Sequence, residues 1–262
     1  MTDAVENGLP PVPLVLLHGF PFDGSMWDEV VEDLVDDGVP SIALDAPGFG
    51  RSEVPDGEPG LELAADAVVA TLDELGVDRA VLVGLSMGGY IALAVADRHP
   101  GRIAGLALLD TKASADSDEA RANRLRVAEA ALGEAGADAV APMLTTLLGE
   151  TALEHEPDVV EEHRARLAAA PPAGIAWAQR AMAARPDRFD VLERLAVPGL
   201  VVRGAEDQIA TQADAEAMAS AIRSGGGDVE LVVVPLAGHM TATEDPSTTA
   251  ELLATFWRRC LV

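Results

Sequence analysis

The sequence predicts an α/β protein, a mostly parallel sheet of about six strands flanked by helices, and three observations carry that expectation. Six short runs rich in Val, Leu and Ile recur along the chain, at 13–18, 40–45, 80–84, 103–110, 199–204 and 229–235. Amphipathic stretches near 24–37, 61–75, 87–99, 211–223 and 246–259 separate or follow them. Strands buried on both faces read as unbroken apolar runs, and parallel neighbours need helical crossovers between them. The chain is also large enough for one sizeable core, with 262 residues of which 49% are hydrophobic.

Taken in order, the first run leads into His18-Gly19-Phe20-Pro21-Phe22, a glycine-containing turn. Only about a dozen residues precede that run, too few for a leading antiparallel hairpin. The second run ends in Asp45-Ala46-Pro47-Gly48-Phe49-Gly50-Arg51-Ser52, another turn. The third enters Gly84-Leu85-Ser86-Met87-Gly88, and the helix formers after it stop at Pro100-Gly101. A strand turning sharply into a helix crowds the residues two places either side of its apex, where glycine relieves the contact. The fourth run closes on Asp110.

The rhythm then breaks. Between Asp110 and Pro198 there is no convincing strand, only alanine- and arginine-rich sequence cut by Pro142, Pro157, Pro171-Pro172 and Pro186. Four or so short helices fit there, an insertion placed to cover the strand ends where open α/β sheets bind ligands. The expected organisation is a core from 1–110 and 196–262 with a helical cap at 111–195. After the cap, the fifth run leads to Arg203-Gly204-Ala205-Glu206-Asp207-Gln208, and the sixth to Leu236-Ala237-Gly238-His239-Met240. Gly225-Gly226-Gly227 reads as the loop between the last helix and strand.

Charge excludes several function classes. The formal net charge is −26, from 44 acidic against 18 basic residues. Such a surface repels phosphate backbones and anionic membranes, so neither nucleic acid nor membrane is an expected partner. Cys260 is the single cysteine, which excludes an intramolecular disulfide. The start, Met1 to Glu6, is acidic and lacks the pattern of a secretory signal, and no run is long enough to span a bilayer. The expected location is the cytoplasm. No metal-ligand spacing such as H-E-x-x-H occurs, and no cofactor is expected.

The chemistry points to acyl transfer. The turn at Ser86 lifts its hydroxyl above the sheet edge, with the Met87 N–H at the positive end of the following helix. Serine needs a base, and the base needs an orienting group. His239, on the loop after the last strand, is the candidate base. His99 and His163 in helical contexts, and His155 among acids, read as exposed and ordinary. Two acids compete to orient the base: Asp207 after the fifth strand and Asp110 at the end of the fourth. The order Ser, acid, His with the acid one strand before the histidine favours Asp207, and Glu206 reads as a solvated neighbour. Phe20 and Met87 are the candidate donors of backbone N–H groups to an oxyanion. His18 reads as structural, fixing its loop.

With these residues in view, the chain is similar to the α/β-hydrolase fold superfamily, with an insertion near 111–195 where those proteins carry a cap. The similarity rests on His18-Gly19-Phe20, Gly84 to Gly89, Gly204 to Asp207 and Gly238-His239, and extends to Asp45 through Ser52. It implies Ser86 as nucleophile, Asp207 as acid, His239 as base, and Phe20 with Met87 as oxyanion donors. Two departures stand out: the two leading strands of most relatives are lacking or shortened, and Ala210 replaces a proline common after the acid. Phe22 through Trp27 and Ala183 through Asp187 resemble the 3-oxoadipate enol-lactonase-like branch, a pattern shared in part with simple esterases.

The leading function is hydrolysis of small carboxylic esters or lactones through an acyl-enzyme. Hydrolysis of a carbon–carbon bond in diketones is an alternative, ranked lower because such relatives carry asparagine where Leu85 stands. A small-molecule receptor with the same fold is the other. Phe20, Trp177 and Met240 are the candidates to touch substrate, with Met143, Leu144, Leu147, Leu148 and Met182 as further apolar positions in the cap. Arg124, Arg126, Arg180 and Arg185 could hold a substrate carboxylate by paired hydrogen bonds.

Overall fold

A computed structural model describes residues 12–261. Among them, six strands form one wholly parallel sheet: β1 (Leu14–Leu17), β2 (Ser41–Leu44), β3 (Ala80–Leu85), β4 (Ile103–Leu109), β5 (Gly199–Gly204) and β6 (Val229–Val234), in the order β2-β1-β3-β4-β5-β6. β1, β3 and β4 are buried at every position, as their unbroken apolar runs require. β2 and β6 form the two edges and are only partly covered. The expectation about a leading hairpin concerns residues 1–11, which lie outside the described residues.

Six helices cover the sheet: α1 (Asp28–Asp36), α2 (Leu61–Glu74), α3 (Met87–Arg98), α10 (Gln212–Ser224), α11 (Thr241–Glu244) and α12 (Pro246–Cys260). Between β4 and β5 lie six more, α4 (Asp118–Leu132), α5 (Leu144–Leu147), α6 (Glu150–His155), α7 (Pro157–Ala169), α8 (Pro172–Ala184) and α9 (Phe189–Glu193), with 3₁₀ turns at Gly136–Ala139 and Ala141–Met143. The inserted segment is therefore more fragmented than four helices. Pro157 and Pro172 each open a new helix at its first position, and the chain between Gly133 and Met143 makes only single turns.

Strand order decides where a site can form. From β1 the chain moves outward to β2, and from β3 it moves the other way to β4 and onward. The sheet therefore reverses direction between β1 and β3, and the crevice beyond their carboxyl ends is where open α/β sheets hold ligands. Register places Leu17 beside Gly84, so the turns after β1 and β3 leave the sheet side by side. The inserted helices lean on loops at this same edge. Arg166 Nη1 on α7 donates to Ser25 Oγ at 2.7 Å, and Thr151 on α6 donates to Glu206.

Candidate active site

Ser86 sits at the junction of β3 and α3 with φ 53 and ψ −111, a conformation that costs roughly 1–3 kcal/mol and needs surrounding structure to hold it. Close packing makes the neighbouring glycines obligatory. A Cβ at Gly84 would stand 2.3 Å from the Gly88 carbonyl oxygen, and one at Gly88 would stand 2.0 Å from that of Leu17. The Ser86 N–H continues the sheet ladder to the Leu109 carbonyl at 2.9 Å. Thr111 Oγ1 donates to the Ser86 carbonyl at 2.7 Å, pinning the apex from the loop after β4. Nothing in the sequence pattern marked Thr111 for this role.

Three of the named side chains meet in one line. Ser86 Oγ donates to His239 Nε2 at 2.8 Å, and His239 Nδ1 donates to Asp207 Oδ2 at 2.9 Å. His239 and Asp207 are almost fully buried. Burial pushes the Asp207 carboxyl up, but the hydrogen bond and charge of His239, with the Ile209 and Ala210 N–H groups, outweigh it and hold the carboxyl below its usual range. Those two N–H groups reach Oδ1 at 2.7 and 3.0 Å, so both oxygens are fixed.

Asp110, the competing acid, goes elsewhere. Its Oδ1 accepts from the Gly204 N–H at 2.8 Å, and its Oδ2 from Thr241 Oγ1 at 2.5 Å. It thereby ties the ends of β4 and β5 to α11. Burial and then the Asp207 charge push its carboxyl well above the usual range.

Phe20 stands on the turn after β1, beside the turn that carries Ser86, and Met87 follows the serine directly. Among the described residues no acceptor is recorded for the N–H of either, whereas neighbouring Gly19 N–H is taken by Met26 Sδ at 3.3 Å. The Phe20–Pro21 peptide is cis. The Phe20 ring is buried edge-on to Phe49, with centroids 6.1 Å apart. His18 is fully buried and braces the loop: Ala46 N–H donates to its Nε2 at 2.8 Å, and Nδ1 lies 3.0 Å from the Gly19 carbonyl. Burial lowers its pKa, which suits an acceptor nitrogen. Met240, fully buried, follows His239 and approaches Gly19. Trp177 is buried on α8, and its Nε1 has no partner among the described residues. A cleft of about 330 Å³ is lined by His18, Leu44, Val68 and Ile91 and does not include Ser86.

Several side chains do more than their sequence context indicated. Glu206 is not a solvated neighbour: its carboxylate accepts from Thr151 N–H at 2.8 Å and Thr151 Oγ1 at 2.7 Å. His163 is fully buried rather than exposed, with Nε2 3.0 Å from Thr243 Oγ1 and its ring edge-on to Phe22. His99 pairs with Asp66 at 2.7 Å, while His155 is exposed. Arg124 and Arg185 share one partner, Asp116, at 2.5 and 2.7 Å. Arg185 is also laid over the Tyr90 ring, 4.1 Å from its centroid.

Among the described residues no His, Cys, Asp and Glu cluster is arranged to hold a metal ion, and no helix is long and apolar enough to cross a membrane.

Comparison with known proteins agrees with this fold. A sequence profile described as alpha/beta hydrolase fold matches residues 12–246. A thermophilic esterase from Thermogutta terrifontis is 39% identical, with a TM-score of 0.89 over 95% of this chain and 90% of that one. The enol-lactonase from Burkholderia xenovorans LB400 is 30% identical, with a TM-score of 0.84 over 95% and 92%. The 3-oxoadipate enol-lactonase 2 of Acinetobacter baylyi is 28% identical over 201 residues, 73% of this chain and 70% of that protein. Of three other curated relatives the chain spans less than two thirds of the length, 36%, 64% and 29%. With an enol-lactonase and esterases among its structural neighbours, the chain belongs to the α/β-hydrolase fold family.

Proposed function

We propose that this protein hydrolyses carboxylic ester or lactone bonds of small molecules, with Ser86 as nucleophile, His239 as base and Asp207 as the orienting acid. One observation carries the reading: the unbroken chain of hydrogen bonds from Asp207 through His239 to a strained Ser86. Asp207 fixes the tautomer that leaves Nε2 free to take the Oγ proton. Oγ then attacks the carbonyl carbon, and the oxyanion so formed is held by the N–H groups of Phe20 and Met87. His239 returns its proton to the leaving alcohol, or to the opened end of a lactone, as the acyl-enzyme forms. Water, deprotonated by the same histidine, attacks the acyl carbon, and as the bond to Oγ breaks and the acid leaves, His239 returns the proton to Oγ.

Residues 111–195 act as a cap on a core formed by 1–110 and 196–262. Phe20, Trp177 and Met240 are the side chains we assign to substrate contact, and the unpartnered Trp177 Nε1 suits a polar ligand atom. A net charge of −26 argues against nucleic-acid partners, and a lone half-buried thiol suits a reducing compartment such as the cytoplasm. Similarity to an esterase and an enol-lactonase supports the substrate class. A panel of p-nitrophenyl esters and lactones of varied length, combined with peptide mass mapping after treatment with a p-nitrophenyl phosphonate, tests the reading. The untreated protein is expected to turn over the panel and to lose that activity as the phosphonyl group attaches to Ser86; label on another residue, or full turnover with Ser86 labelled, contradicts it.

A further inference from the structure

The segments that present His239 and Asp207 each carry a second carboxylate, and the two grip residues two places apart in the inserted segment, Gly149 and Thr151. Glu244 Oε2 accepts from the Gly149 N–H at 2.7 Å, and its Oε1 from the Met240 N–H at 3.0 Å. The residue that follows His239 is thus hung on one half-buried side chain. Glu206, next to Asp207, takes Thr151 by two hydrogen bonds. His239 itself donates its N–H to the Leu147 carbonyl at 3.1 Å.

The segments meet backbone on backbone. A Cβ at Gly149 would stand 2.5 Å from Glu206 Oε2 and 2.9 Å from the Gly238 nitrogen, and one at Gly238 would stand 2.1 Å from the Gly149 nitrogen. No side chain fits between them, so any displacement of 147–151 is passed to the His239 loop without slack.

We propose that Glu244 is a positioning residue, which couples residues 147–151 of the inserted segment to the orientation of the His239 ring, with Glu206 clamping the same residues to the Asp207 loop. This rests on the functional reading above. Glu244 reaches no reacting atom; it acts through the backbone that carries His239. A carboxylate is the group required, because every donor that faces it is an N–H. Burial pushes its carboxyl up, and the N–H groups of Gly149 and Met240 pull the other way. A glutamine there would turn an NH₂ group against one of those donors.

The test compares Glu244→Gln, Glu206→Gln and Gly149→Ala with the unaltered chain. Readouts are kcat and KM for p-nitrophenyl butyrate and the far-downfield proton resonance of the His239–Asp207 hydrogen bond. Small displacements in a supporting shell cost up to roughly 10²-fold, so Glu244→Gln is expected to lower kcat by at least about 10-fold. KM should stay within about twofold, because no substrate contact is removed. The resonance should shift or broaden, and Gly149→Ala should act in the same direction by wedging the junction apart. Leu72→Ala, a deletion in the core under α2, should lower the melting temperature and leave both kcat and the resonance unchanged. If Glu244→Gln, or Gly149→Ala where that variant alone folds, keeps kcat within about twofold and leaves the resonance in place, the positioning role is wrong. If activity survives Ser86→Ala, the functional reading has failed instead.

Discussion

Replacing Asp207 by asparagine separates an orienting acid from a merely buried one, and the structure sets the size of the effect. Asp207 Oδ1 receives the N–H groups of Ile209 and Ala210, while Oδ2 faces His239 Nδ1. An asparagine can keep the first pair by placing its amide oxygen there. Its NH₂ group then points at Nδ1, which must accept, and the ring proton moves to Nε2, where it blocks the Ser86 hydroxyl. The flipped amide preserves the correct tautomer but strands two buried N–H donors at about 1–3 kcal/mol each. Even the lower total of about 2 kcal/mol favours the blocking orientation about thirtyfold. The expected outcome is a loss in kcat of roughly 10³- to 10⁴-fold with the fold intact, the scale known for wrong-tautomer triads.

Asp110→Asn should stay within about tenfold, since burial and the Asp207 charge already favour a neutral side chain there. Its amide can still accept from Gly204 and donate to Thr241 Oγ1, giving up only the long 3.4 Å contact from the Thr241 N–H. The assay is p-nitrophenyl butyrate hydrolysis, with circular dichroism to compare folded fractions. A nearly normal Asp207→Asn beside an inactive Asp110→Asn would refute the assignment and move the acid to the end of β4.

Three further outcomes follow from the surrounding contacts. Asp116→Asn leaves the buried Arg185 without a counter-charge and should destabilise the fold by about 3 kcal/mol at neutral pH. Burial pushes the Asp116 carboxyl up, but Arg185 and Arg124 hold it below its usual range, so its contribution is present above the unfolded pKa and lost as pH falls through the folded one. The gap between variant and parent in thermal melts should therefore close on acidification; a gap that widens in acid contradicts the sign. Arg124→Ala and Arg185→Ala should alter KM for an acidic lactone and a neutral ester alike, because both guanidinium groups are engaged by Asp116. A rise confined to the acidic lactone would restore a substrate-carboxylate clamp. Burial pushes the Cys260 thiol up to about 11, so a disulfide reagent in mildly alkaline buffer should label it slowly in the folded chain and fully after unfolding. Immediate labelling of the folded chain shows the thiol is not shielded.

The sheet was legible because its strands are short and apolar, and β1, β3 and β4 at its centre are buried at every position. The runs at 80–84 and 103–110 differ from β3 and β4 by one residue, at their carboxyl ends. The turn at Ser86 was legible for a local reason too, since its glycines and the strand and helix beside them are contiguous. Legibility ends where partners come from far along the chain. Glu206 meets Thr151 across 55 residues, His163 meets Thr243 across 80, and Glu244 meets Gly149 across 95. Each of these side chains sits among polar neighbours in sequence, so local context suggests solvent and only the fold supplies a partner. The inserted segment was misjudged differently. The breaks at Pro157 and Pro172 were visible, but the single turns near Gly136 and the four-residue helix at Leu144–Leu147 are not disclosed by a helical composition.

The central claim is that Ser86 makes the bond to the acyl group. The most direct measurement is kcat/KM for p-nitrophenyl butyrate with Ser86→Ala against the parent, at matched folded concentration by circular dichroism. Removing Oγ leaves His239, Asp207 and the Phe20 and Met87 N–H groups in place, so binding and folding should persist. The account predicts a loss of about 10³-fold or more. A variant that keeps a tenth of the parental activity would contradict it.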